Sequence, residues 1–153
     1  MAIRNILGDK SDILRKKSRE VTDFNKRLHE LLDDLAETMY NSGGVGLAAP
    51  QVGILRRAAV IDVGDGLIEL VNPEIISQKG ESTDREGCLS FPSLFGDVVR
   101  PARVTVLAYD RKGDRIRIRG NDYLARALCH EIDHLNGILF VDLAKDLRIQ
   151  KDE

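Results

Sequence analysis

Residues 130–134 read His-Glu-Ile-Asp-His, a spacing that can hold a metal ion. On a helix, His130 and His134 stand one turn apart on the same face, so two imidazoles can share one cation. Glu131 lies beside them, placed for proton transfer. The pentapeptide is short, and two surface histidines on a helix would produce the same string. A third ligand and a pocket must therefore come from elsewhere in the chain.

A catalytic site of the zinc type uses three protein ligands and leaves a position open. The extended pattern H-E-x-x-H-x-x-G-x-x-H is matched at Gly137, but its third histidine falls on Phe140. The only glutamate after the motif is Glu153, the last residue of a charged tail. Asp142 and Asp146 remain formally possible but sit on the short exit from the helix. Cys129 precedes His130 directly, so it points roughly 100° away around the helix and reads as a buried thiol. Cys88 remains, in Glu86-Gly87-Cys88-Leu89-Ser90-Phe91-Pro92, which reads as a shaped loop. One thiolate and two imidazoles make a sensible tetrahedral set with an open fourth position.

These residues need elements to hold them. Residues 23–42 carry the clearest helical pattern, with Phe24, Leu28, Leu31, Leu32, Leu35 and Met39 on one stripe. Asp23 is placed to cap it, Gly43-Gly44 ends it, and His29 falls off the stripe. Strands are expected over 58–61, 67–71 and from Ile75-Ile76, the last after a break at Asn72-Pro73. Alternation over 98–108 puts Val104, Val106 and Ala108 on one face, and Ile116 and Ile118 continue it after a turn at 110–113. A second helix is expected over 122–136, with Asn121 as cap and Gly137 as terminator. Strands clustered between two helices argue for α+β: mostly antiparallel sheets around a central metal-binding helix, with an N-terminal amphipathic helix.

At 153 residues the chain reads as a single catalytic domain, 1–153, able to bury a core without disulfides. The tail 145–153 is expected to fray, and residues 141–153 to form one or two helical turns at most. A net charge of −2 gives no general attraction to nucleic acid. The basic cluster Arg15-Lys16-Lys17 with Arg19 is surrounded by Asp9, Asp12, Glu20 and Asp23 and reads as solvated surface. No stretch approaches the ~18 apolar residues of a membrane span, and the first residues run quickly into charge. A cytoplasmic protein without membrane contact is expected, with reduced cysteines.

Three segments together resemble the peptide deformylase family. Gly44-Val45-Gly46-Leu47-Ala48-Ala49-Pro50-Gln51 is similar to its motif G-φ-G-φ-A-A-x-Q, where φ is apolar. Residues 86–90 are similar to E-G-C-φ-S, and 130–137 to H-E-x-D-H-φ-x-G. All three are intact and in family order. The resemblance implies that Cys88, His130 and His134 bind one divalent metal, Fe2+ in the cell, with Zn2+, Ni2+ or Co2+ able to substitute. It implies that water activated by the metal attacks the formyl carbonyl, with Glu131 as general acid/base and Gln51 plus the Leu89 N–H as oxyanion stabilisers. The substrates implied are N-formylmethionyl nascent peptides, with formate as product. Gly44, Val45, Gly46, Glu86 and Gly87 are expected to contact substrate, and Val45, Leu47, Leu124 and Ala127 to line a methionine pocket. Some family members carry a longer C-terminal helix associated with the ribosome. The short tail here implies at most a weak, transient ribosome contact. Another metallo-amidase or peptidase, or a non-catalytic structural zinc protein, are the alternatives; the latter needs a fourth ligand and no use for Glu131 or Gln51.

Overall fold

The computed structural model describes residues 2–150. Helix α1, Lys26–Asn41, buries Leu28, Leu31, Leu32, Leu35 and Met39, as the stripe requires. Its cap is Asn25 rather than Asp23: the extended Asn25 backbone lets Oδ1 accept from Leu28 N–H at 3.1 Å. Phe24 stays outside the helix but still packs on the same cluster. Gly43, at φ +71°, turns the chain out, and Gly44 N–H returns to Met39 O at 3.1 Å.

Strands β1 (Gly46–Ala48), β2 (Ala58–Ile61), β3 (Ile68–Lys79), β6 (Arg103–Tyr109) and β7 (Arg115–Asn121) form one sheet in the order β1-β2-β3-β6-β7. Strands β4 (Ser82–Cys88), β5 (Phe91–Arg100) and β8 (Lys145–Ile149) form a second, ordered β4-β5-β8. All ladder pairings between these strands are antiparallel. Helix α2, Asp122–Leu135, lies centrally: Ala125, Leu128, Cys129 and Ile132 pack on Ile61, Leu70, Val104, Val106 and Ala108 of the larger sheet. A one-turn helix α3, Phe140–Leu143, joins it to β8.

Several expectations need correction. The strands expected on either side of Asn72-Pro73 are one strand, β3, with a register shift between Val71 and Glu74. Proline lacks the ladder donor and is accommodated at such a bulge. Asn72 sits there at φ +49° and clasps the Val21 backbone, N–H to Oδ1 and Nδ2 to O, both at 2.8 Å. Cys88, expected in a loop, ends β4, and Leu89-Ser90 make the tight turn into β5. β4 reads Ser-Thr-Asp-Arg-Glu-Gly-Cys and shows no apolar alternation, because it is an edge strand with three consecutive exposed residues. The tail does not extend α3 as a helix; residues 145–149 pair with β5, which would otherwise be an open edge. Residues 151–153 of that tail lie outside the described residues.

Candidate metal centre

The face of α2 turned away from the larger sheet carries His130 and His134 toward the hairpin tip of β4 and β5. Their Nε2 atoms lie 3.2 Å apart, and Cys88 Sγ lies 3.3 Å from His134 Nε2. The three donor atoms fall within 4.8 Å of one another. A tetrahedral ion with bonds of about 2.1 Å to nitrogen and 2.3 Å to sulfur would space its ligands by about 3.4–3.6 Å. The observed separations are close to that, so the donor set suits one small, borderline-soft divalent cation. Both histidines are buried and Cys88 is half-buried.

His130 is oriented from behind. Its Nδ1–H donates to Glu86 Oε1 at 2.6 Å, which leaves the Nε2 lone pair facing the cluster. Glu86 is itself gripped: Arg100 donates to Oε1 at 2.7 Å and to Oε2 at 3.2 Å, and Arg126 donates to Oε2 at 2.9 Å. Arg100 reaches on to Asp133 Oδ2 at 2.5 Å. Burial pushes the Glu86 carboxyl up, but the His130 hydrogen bond and the Arg100 guanidinium outweigh it and hold it at about 2. Glu86 is therefore a fixed anion engaged with His130, Arg100 and Arg126, and it also lines the cleft in which it is expected to contact substrate. Arg100, Arg126 and Asp133 were not legible as functional in the sequence. The signal that could have found Arg100 and Arg126 is the buried Glu86, which requires a counter-charge.

Glu131 is buried, and its Oε1 has no hydrogen-bond partner among the described residues. Burial pushes its carboxyl up to about 7, and a cation held next to it would draw it down again. A Cβ on Gly46 would collide with Glu131 Oε2 and stand 2.8 Å from its Cδ, so the carboxylate occupies the space that glycine leaves. Gln51, also buried, is oriented by Ala48 N–H, which donates to its Oε1 at 3.0 Å. Its Nε2 is thereby aimed at the cluster, 3.1 Å from Ser90 Oγ and 3.4 Å from Cys88 Sγ.

A cleft of about 450 Å³ opens above these groups. Gly44, Val45 and Gly46 form one wall, Gly87, Cys88 and Leu89 another, and Phe95, Tyr123 and Ala127 add apolar surface. Leu47 and Leu124, expected to line a methionine pocket, do not reach it. Leu47 is fully buried against α1, and Leu124 packs with the larger sheet. The cleft runs between β1 and β4, which are edges of their sheets, so its two walls carry backbone groups that no neighbouring strand takes. Asp142, one of the carboxylates weighed as third ligand, is instead held by Arg15 at 2.6 Å.

The model of the family described as Polypeptide deformylase matches residues 3–150. The chain is 61% identical to a peptide deformylase of Acetivibrio thermocellus over 142 residues, 93% of this chain and 84% of the relative. It is 56% identical to one of Caldicellulosiruptor bescii over 153 residues, 100% of this chain and 91% of the relative. The crystal structure of peptide deformylase from Thermotoga maritima superposes with a TM-score of 0.93 at 39% identity, covering 95% of this chain and 99% of that one. That of Synechococcus elongatus in complex with actinonin gives 0.90 at 37% identity, covering 94% and 79%.

Proposed function

The chain belongs to the peptide deformylase family, and from that premise we propose that Cys88, His130 and His134 form the metal centre of its reaction and Glu131, Gln51 and Leu89 its working groups. It is a metal-dependent amide hydrolase that removes the N-formyl group from methionyl peptides and releases formate. The observation that carries the assignment of residues is the convergence of three donor atoms within 4.8 Å beside a buried carboxylate oxygen that has no partner among the described residues.

A divalent cation bound there supplies Lewis acidity and lowers the pKa of a water toward ~7. Glu131 takes a proton from the attacking water and passes it to the departing amine nitrogen, so the carboxylate is restored each cycle. The Gln51 Nε2–H and the Leu89 N–H donate to the formyl oxygen as charge builds on it; one such donor is worth ~10²–10³ in rate. Gln51 is pre-aimed for that task by Ala48 and Ser90. Glu86, with Arg100 and Arg126 behind it, fixes the His130 ring. An extended peptide is held along the free edges of β1 and β4, where Gly44, Gly46 and Gly87 allow close approach of backbone. Val45, Leu89, Tyr123 and Ala127 receive the methionine side chain.

Gly46 is assigned to the geometry of Glu131. Gly46→Ala is expected to lower kcat by ~10²-fold, because the Cβ displaces the carboxylate by about an ångström. Metal per chain should stay the same. Turnover within twofold of the parent would remove the steric assignment.

The reading assigns iron(II) as the cellular metal, with zinc, nickel or cobalt able to replace it at the same ligands. Protein loaded anaerobically with iron(II) should release formate from formyl-Met-Ala-Ser faster than the zinc form does. Equal rates would overturn the iron assignment, and no formate from either would overturn the function. Among the described residues no helix is long and apolar enough to cross a membrane. A cytoplasmic location is proposed because the substrates are newly made polypeptides. A ribosome contact through the described tail would rest on α3 and β8, and is assigned a weak and transient character.

A further inference from the structure

Arg85 stands on β4 three residues before Cys88, with its side chain exposed at the mouth of the cleft. Its guanidinium carbon lies 4.2 Å from the centre of the Phe95 ring, and Nη2 donates to Gln150 Oε1, just beyond β8. The stack and the hydrogen bond fix the cation in place, and a guanidinium so held is pre-organised for a planar anion. Of its five N–H donors one is taken among the described residues, which leaves an edge for a carboxylate. Among the described residues Arg85 forms no salt bridge. The other charged residues of the cleft lining, Glu86, Arg126, His130 and Glu131, are buried. Arg85 is thus the exposed charge of the cleft.

Arg85 and Phe95 also line a second groove of about 360 Å³, together with Gly96, Asp97, Asp146 and Arg148. A peptide leaving the cleft for that groove crosses the Arg85–Phe95 stack. Asp97 is the cross-strand partner of Arg85, and Asp146 and Arg148 lie on the β8 side, but neither acid forms an ion pair with Arg85 among the described residues. Three residues of strand span about 10 Å, which is the reach of an extended peptide from a formyl carbon near Cys88 to its third residue.

Resting on the deformylase reading, we propose that Arg85 is a specificity-determining residue: it meets the third residue of the formylated peptide and favours a carboxylate side chain there. Exposed ion pairs are weak and screened by salt, so the discrimination is modest and depends on ionic strength.

The test compares kcat/KM for formyl-Met-Ala-Asp-amide, formyl-Met-Ala-Asn-amide and formyl-Met-Ala-Lys-amide. The amides remove the terminal carboxylate, which would otherwise engage Arg85 itself. At low salt the order Asp, Asn, Lys is expected, with Asp ahead of Lys by about five- to tenfold. The ratio should shrink at high salt. In Arg85→Gln it should approach one, and in Arg85→Glu it should invert. These are ratios within one enzyme, so a general loss of active protein cancels. Equal kcat/KM for the three peptides in the parent, or an unchanged ratio in Arg85→Gln, would overturn the subsite while leaving deformylation intact. No formate from any peptide with the metal-loaded parent would overturn the deformylase reading and the subsite together.

Discussion

Replacing Glu131 by glutamine is expected to lower formate release by ~10²–10⁴-fold, the range for loss of a positioned acid–base group. The substitution keeps shape and volume in a buried site, so the fold and the three donor atoms should remain. What disappears is the ability to accept a proton. The carboxylate has an Oε1 without a partner among the described residues and stands against Gly46 beside the three donor atoms, where it can take and return a proton. An amide of the same size can do neither. Metal analysis and kcat measured on one preparation check the prediction. Full activity would remove Glu131 from the chemistry, and joint loss of metal would make it a structural residue instead.

Cys88→Ala is expected to act one step earlier, on the metal. Two imidazoles on one turn of helix remain, but the third donor is gone and alanine cannot replace it. Bound metal should fall well below one per chain after dialysis, and turnover should fall in proportion. A metal that binds the folded chain stabilises it in proportion to the logarithm of its occupancy ratio. Adding iron(II) or zinc should therefore raise the melting temperature of the parent and leave that of the variant almost unmoved. A variant that keeps one metal per chain and an unaltered melting shift would show that another group completes the site.

The parts legible in the sequence are those that follow periodic burial. Leu28, Leu31, Leu32, Leu35 and Met39 define α1, and Val104, Val106 and Ala108 define the buried face of β6, because each faces one continuous core. The helix carrying His130 and His134 was legible to within one residue at its end. The smaller sheet was not. β4 and β8 lie at its edges, where much of the strand meets solvent and leaves no alternation to read. The same limit applies to the site. Ligand chemistry pointed to Cys88, His130 and His134 because few residue types can bind a metal at that spacing. The task of Glu86 depended on where Arg100 and Arg126 fold, one from β5 and one from α2, and local spacing carries no trace of that. Leu47 and Leu124 were misplaced for a related reason: an apolar residue near a motif is as readily core as pocket.

The most direct test of the central claim is a titration of metal-free protein with anaerobic iron(II), following formate release from formyl-Met-Ala-Ser against metal bound per chain, with Cys88→Ala run in parallel. If Cys88, His130 and His134 are the reaction centre, the rate rises from zero in proportion to bound iron, stops rising at one ion per chain, and stays near zero throughout for the variant. Formate release by the metal-free parent, or equal release by Cys88→Ala at equal total iron, would contradict the account.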